Sequence, residues 1–232
     1  MSYCSRFVVG QVESIHPNLE ATVRKHLSSS FNRPTQAYNQ EAMDWLAERY
    51  QELGKPPLVL DSGCGVGDSS LNLSLQFPDH LIVGIDQSLH RLKKHGGQDG
   101  FLEQENCLLI RADLVDCWRI LCDKNLFPEK HYIPYPNPWP KKKHLQRRWH
   151  GHSVFPYLLK LGGELELRSN WKTYVEEFAS ALKIAGYESL FQAFKPELVN
   201  ADTPYDYLTP FEKKYALSEQ TLYRLTANLN AR

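Results

Sequence analysis

A chain of 232 residues with 42% hydrophobic and 12% aromatic side chains has apolar material for one α/β domain or at most two small ones, and it carries no low-complexity tract of the kind that stays disordered. Its 27 basic residues balance 27 acidic ones, so average charge excludes no class of partner and any preference for nucleic acid must come from local clustering. Five cysteines (Cys4, Cys64, Cys107, Cys117, Cys122) form no C-x-x-C pair, and an odd count fits reduced thiols in the cytoplasm better than a disulfide framework. The stretch MSYCSRFVVGQVES has neither the charged start nor the apolar run of a signal peptide, and no apolar run reaches membrane-spanning length. A soluble cytoplasmic protein with no membrane partner is expected.

Residues 1–35 are polar and interrupted by Pro17 and Pro34, which predicts an irregular or partly helical lead-in ahead of a single domain over 36–232. TQAYNQEAMDWLAERYQEL places Ala42, Trp45, Leu46, Arg49, Tyr50 and Leu53 at three-and-four spacing, the pattern of an amphipathic helix. PPLVLDSG follows as a short apolar run closed by turn residues, a buried strand. DSSLNLSLQF then reads as helix, HLIVGID as strand, SLHRLKKH as helix, NCLLIRAD as strand, LVDCWRILCDK as helix and HYIPYP as strand. A basic helix from about Lys142 to Leu161, a strand GELELRS and a helix WKTYVEEFASALKIAG come next. ESLFQAF and QTLYRLTAN read as two strands of a final antiparallel hairpin, separated by a polar loop with no strong helix. Strands alternating with helices imply right-handed crossovers and a doubly wound, mostly parallel, seven-stranded sheet.

The chemistry concentrates at strand ends. LDSGCGVGDSS sets Gly63, Gly65 and Gly67 directly after the first strand, where missing Cβ atoms let backbone approach a ligand. Gly67 runs into Asp68-Ser69-Ser70, so the G-x-G-x-x-G fingerprint of pyrophosphate-containing dinucleotides is not met. D-x-G-x-G-x-G instead resembles the first motif of S-adenosylmethionine-dependent methyltransferases, whose ligand presents an amino acid and a ribose. Asp86 stands nineteen residues after Gly67, at the end of the second strand, where a carboxylate holds a ribose diol. Asp113 ends the third strand, where a carboxylate meets an adenine amino group. Asp61, Asp86 and Asp113 would ring one crevice at the carboxyl edge of the sheet; the alternative for each is a helix N-cap or turn former.

The fourth strand leads to YPNPWPKKKHLQRRWHGH. Pro136, Pro138 and Pro140 stiffen the backbone around Asn137 and Trp139. Lys141, Lys142, Lys143, Arg147 and Arg148 then place five positive charges within eight residues, a density suited to phosphate contacts, with a solvated surface as the alternative reading. His150 and His152 lack nearby cysteines or paired carboxylates, so no metal site is expected.

Taken in order, these motifs resemble the bacterial tRNA guanine-N7 methyltransferases, class I enzymes that use S-adenosylmethionine to methylate a guanine in the tRNA variable loop. The resemblance spans about residues 57–215: DSGCGVG is similar to the family's acidic Gly-rich loop, GID to its ribose carboxylate and RAD to its adenine-side acid. YPNPWPKKKHLQRR resembles the P-D-P-W segment with its basic continuation, RSNW the T-D-W segment and TPFEKKY the T-K-F-E segment. It implies a Rossmann-like class I fold, S-adenosyl-L-methionine as donor and tRNA as partner, and it leaves the oligomeric state open, a monomer included. It also implies donor-binding roles for Asp61, Gly63, Gly65, Gly67, Asp86, Asp113 and Asn137, with Asn137 and Trp139 shaping the reacting site. Lys141, Arg147 and Arg148 would then grip phosphate, and Asn170, Thr209, Phe211 and Glu212 would orient the base.

The departures are Asn137 and Asn170, each an amide where the family carries Asp, and Pro210 where it carries Lys. Guanine N7 has an in-plane lone pair at neutral pH, so its methylation needs alignment and no general base. The amides therefore leave guanine-N7 methylation as the leading expectation. The alternatives are an inactive or weakly active RNA-binding paralogue, a methyltransferase for another nucleobase position, and one for a small molecule.

Overall fold

The computed structural model describes residues 13–95, 100–195 and 207–230. In chain order the elements are α1 (Leu19–Leu27), α2 (Ala37–Glu52), β1 (Leu58–Ser62), α3 (Asp68–Gln76), β2 (Leu81–Asp86), α4 (Leu89–Leu92), β3 (Phe101–Gln104), β4 (Cys107–Arg111), α5 (Leu114–Asp123) and β5 (Lys130–Pro134). They continue with α6 (Phe155–Leu161), β6 (Glu164–Ser169), α7 (Lys172–Ile184), β7 (Leu190–Phe194), α8 (Pro210–Leu217) and β8 (Leu222–Asn228). The chain divides into two compact units, one formed by Asn32–Ile133 with Tyr157–Glu164 and the other by the segments up to Phe31, Pro134–Pro156 and from Leu165 onward.

In the first unit the strands lie in the order β3-β4-β2-β1-β5. β1 pairs parallel with β2 and β5, and β2 pairs parallel with β4. Every residue of β1 and β2 is buried, because helical crossovers cover both faces of a parallel sheet and the strands must then be apolar throughout. The register sets Asp61 opposite Gly84 and Asp86 opposite Arg111, so the acidic ends of neighbouring strands emerge on one edge. Beneath them the wholly buried Trp118 donates its Nε1–H to Ser62 Oγ at 3.1 Å, and Ser62 Oγ lies 2.8 Å from Nε2 of the buried His131. Burial pulls the His131 imidazole down to about 3. The four cysteines among the described residues are unpaired and buried, and burial pushes the Cys107 and Cys122 thiols up to about 12.

In the second unit the order is β6-β8-β7, with β7 and β8 antiparallel and Leu190 opposite Thr226. This is the expected C-terminal hairpin. Its core includes Trp171, Tyr174 and Phe178.

Three elements differ from expectation. Among the described residues β3 is an eighth strand, antiparallel to β4, and its half-exposed FLEQ has no apolar alternation to announce it. The basic helix over 142–161 is instead two 3₁₀ turns, Lys142–Arg147 and Trp149–Gly151, followed by the short α6. Arg148 and His152 take extended backbone angles that interrupt it. α8 occupies the segment read as a loop: Thr209 caps it by accepting from the Glu212 N–H at 3.0 Å, and Pro210 opens it. T-P-F-E is thus an N-cap, an N1 proline and an N3 glutamate.

Candidate functional site

In the first unit the chain leaves β1 through a turn in which Gly63, Gly65 and Gly67 take φ values of +88°, +62° and +93°. Side-chain-bearing residues rarely adopt these angles. A Cβ at Gly63 or Gly65 would meet nothing within 4 Å, so that face of the turn is open, whereas one at Gly67 would lie 2.4 Å from Leu109 Cδ1. The first two glycines leave room for a ligand, and the third lets α3 close onto β4.

The three acidic strand ends have different surroundings. Asp86, 7% exposed, accepts from the Gly65 N–H at 3.0 Å and the Ser88 N–H at 2.8 Å, with Arg91 Nη1 at 3.4 Å. It holds the glycine turn against the end of β2. Asp113 is an N-cap, as its alternative reading had it: Oδ1 accepts from the Val115 N–H at 3.0 Å. Its Oδ2 accepts from Arg33 Nη2 at 3.2 Å, and its own N–H donates to Asn39 Oδ1 at 2.9 Å. Asp61 is fully buried. Its Oδ2 accepts from Ser69 Oγ at 2.5 Å and Ser70 Oγ at 2.7 Å, while Oδ1 has no partner.

Burial raises the Asp61 carboxyl to about 6, against the two serine hydroxyls, with the Asp86 charge adding to the rise. A raised carboxyl lets the native state bind more protons than the unfolded chain between its ordinary value and about 6, so Asp61 contributes stability as the pH falls through that window. His131, held neutral, acts in the opposite sense over the same range, because there the unfolded chain binds the extra proton. The two slopes offset. Asp61→Asn removes one of them, and acid destabilisation between about pH 4 and 6 then steepens by about 1.4 kcal/mol per pH unit. Urea unfolding of both proteins across a pH series measures the difference.

In the second unit Asn137 is exposed between two residues in left-handed conformation, Tyr135 at φ +50° and Trp139 at φ +46°. The Tyr135 N–H donates to the Arg168 carbonyl at 2.8 Å and its hydroxyl to Glu212 Oε2 at 3.0 Å, fixing the entrance to the turn. The Arg147 guanidinium lies 4.7 Å from the centre of the Trp139 ring, and His144 meets that ring edge-on at 5.5 Å. Lys141, Lys142, Lys143 and Arg147 are exposed.

Arg148 corrects the sequence reading. It is fully buried, so it offers no phosphate contact: its Nη1 pairs with Glu177 Oε2, and its Nε and Nη2 donate to the Trp139 carbonyl at 3.3 and 3.2 Å. Glu177, equally buried, also meets His150 Nε2 at 3.0 Å and accepts from the His16 N–H at 2.9 Å. Burial alone would raise the Glu177 carboxyl; His150 and Arg148 overcome it and hold the group below its ordinary range.

Glu212 corrects it as well. It is 2% exposed, and its carboxylate is engaged by Arg168 Nη1 at 2.9 and 3.1 Å, by Tyr135 and by the Leu208 N–H at 3.3 Å. Thr209 is spent on capping α8, whereas Phe211 is 51% exposed and stacks on Tyr215. Asn170 donates to Gln220 Oε1 at 3.0 Å and borders a cleft with Thr173, Thr221 and Tyr223. Sequence reasoning missed Ser69, Ser70, Arg33, Asn39, Asp116 and Glu177. Only the serines carried a signal, directly after the glycine turn.

The family described as "Putative methyltransferase" matches residues 55–225. Among curated proteins, the tRNA (guanine-N(7)-)-methyltransferase of Saccharophagus degradans is 31% identical over 58% of this chain and 60% of that protein. That of Aquifex aeolicus is 30% identical over 73% and 56%, and that of Francisella philomiragia 30% identical over 68% of each. The match spans 56–60% of the length of the first two relatives. Among solved structures, an antibiotic-related methyltransferase aligns with TM-score 0.56 at 12% identity, covering 88% of this chain and 98% of its own. A variant of the 16S rRNA (adenine(1408)-N(1))-methyltransferase from Catenulisporales acidiphilia, solved with cosubstrate SAM, aligns with TM-score 0.55 at 14% identity over 78% and 90%. The shared architecture is the Rossmann-like class I methyltransferase fold, and the chain belongs to the methyltransferase family that includes the tRNA (guanine-N7-)-methyltransferases.

Proposed function

We propose that this chain is a cytoplasmic enzyme that methylates tRNA at guanine N7, with S-adenosyl-L-methionine as donor. The observation that carries the reading is the open glycine turn, bordered by acidic strand ends, in a chain related to enzymes named for that reaction. The residues fit the donor chemically. Gly63 and Gly65 leave space a Cβ would fill, Asp86 offers a carboxylate for a ribose diol, Asp113 one for an amino group, and the lone Asp61 Oδ1 is an acceptor without a donor. When bound, S-adenosylmethionine supplies a sulfonium methyl electrophilic enough for direct displacement by the guanine N7 lone pair, so no residue here has to remove a proton.

The chain's work is to orient and to hold. Asn137 presents a carboxamide, one acceptor and one two-hydrogen donor, to the base edge. It lacks the charge with which a carboxylate would stabilise the developing purinium cation, so positioning supplies more of the rate. Trp139, with Arg147 against its ring, offers an aromatic face, and Lys141 and Arg147 neutralise phosphate. The exposed Phe211 would stack on a base and Asn170 would bond its edge, while Thr209 and Glu212 act by fixing α8.

Transfer of radiolabelled methyl from S-adenosylmethionine to bulk tRNA, followed by nucleoside mass spectrometry, tests this reading. 7-Methylguanosine is the expected product. A different methylnucleoside would turn Asn137 and Asn170 into determinants of another position, and no label on tRNA despite donor binding would overturn the tRNA reading.

A further inference from the structure

The carboxylate at the end of β4 is held from outside the sheet. Arg33, in the stretch ahead of α2, places one nitrogen, Nη2, 3.2 Å from Asp113 Oδ2 and 2.6 Å from Asp116 Oδ1. Asp116 is wholly buried and also accepts from the Gln36 N–H at 3.0 Å and Asn39 Nδ2 at 2.7 Å, with Arg119 Nη1 at 3.5 Å. Asn39 in turn receives the Asp113 N–H. The stretch 33–39 is thus clamped onto the first turn of α5 by a buried anion. The result reaches Asp113: Oδ1 is tied to the α5 backbone and Oδ2 to Arg33. A carboxylate has about four lone-pair sites, and these bonds fill two; the side chain remains 23% exposed. What Asp113 shows outward is therefore a fixed group that accepts hydrogen bonds and donates none.

We propose that Arg33 is a specificity-determining residue of the donor site, holding Asp113 as an acceptor-only group that selects a 6-amino purine over a 6-oxo purine in the nucleoside of the donor. The proposal rests on the donor reading above. An amino group donates to the carboxylate; a carbonyl at the same place would face it lone pair to lone pair, and an unmatched polar group in a site built for its counterpart is strongly rejected. Arg33 does this by neutralising two carboxylates that share its one nitrogen. Without it Asp113 Oδ2 loses the bond that fixes it, the repulsion between the two carboxylates is no longer offset by the Arg33 charge, and Asp113 turns away. That ends the exclusion of a carbonyl.

Calorimetric titration of the full chain with S-adenosylhomocysteine and its deaminated 6-oxo counterpart, S-inosylhomocysteine, tests this. The unsubstituted protein should prefer the amino form by at least about tenfold, the equivalent of about 1.4 kcal/mol. Arg33→Ala should bring the ratio of dissociation constants below about threefold. Arg33→Lys, a point charge that engages one carboxylate at a time, should fall between. Thermal unfolding of each variant establishes that it is folded at the titration temperature, and Asn39→Ala, which loosens the same clamp without removing the charge, should keep most of the preference. Equal weakening of both ligands by Arg33→Ala, with the ratio intact, overturns the proposal and leaves Arg33 a structural clamp. Binding of neither ligand by the unsubstituted protein overturns the donor reading itself and this proposal with it.

Discussion

Glu177→Ala should lower the unfolding free energy by about 3–5 kcal/mol, the usual cost of leaving a buried charge without its partner. Arg148 and Glu177 are both completely buried, and the same carboxylate serves His150 and the His16 N–H. Removing it strands a guanidinium that is always charged, and lets go of the chain ahead of α1. Urea denaturation measures the loss. The paired substitution Glu177→Leu with Arg148→Met should recover a large part of it, since burying no charge costs less than burying one uncompensated charge. A loss below about 1 kcal/mol for Glu177→Ala would mean that water enters to solvate Arg148, contrary to its burial.

Asp86→Ala should weaken S-adenosylhomocysteine binding by at least about 100-fold. Two hydrogen bonds from a ribose diol to a carboxylate, each contributing about 1.5–3 kcal/mol, set the scale. Part of the effect travels through the glycine turn, because Asp86 also receives the Gly65 and Ser88 N–H groups. Asp86→Asn separates the two contributions: it keeps an acceptor for the turn and loses the charge, so its affinity should fall between those of the alanine variant and the unsubstituted protein. Calorimetry reads both, and unchanged affinity in Asp86→Ala would remove this carboxylate from the donor site.

The strands of the first unit were legible because burial on both faces forces continuous apolar runs, as in LVLDS and LIVGID, and a carboxylate directly after such a run can only lie at the sheet edge. Neither argument reaches β3, four residues at the edge with two of them exposed. α8 announced itself in its cap rather than its periodicity: T-P-F-E is a strong start, but only Glu212 on the helix is buried, so no apolar stripe follows. The site divided in the same way. Glycines and strand-end acids are read locally, while the fate of Arg148 was decided by Glu177, 29 residues further on. Within KKKHLQRR nothing distinguishes the buried arginine from its exposed neighbour Arg147, because the difference lies in a partner and not in the residue. The anion at Asp116 was hidden for the same reason, its three nearest donors lying about 80 residues away.

The buried thiols make the molecule its own clock. With Cys4 changed to serine, every remaining thiol lies under cover: Cys64 in the glycine turn, Cys107 on β4, Cys117 and Cys122 on α5. An alkylating reagent reacts with the thiolate, and burial suppresses both access and ionisation at all four. Each modification therefore waits for its own part of the fold to open, and its rate reports that opening. Adding a donor analogue would delay Cys64 more than Cys122 if the ligand rests on the glycine turn, so the order in which sulfurs are lost would map, without crystals or spectra, which part of the first unit the ligand ties down.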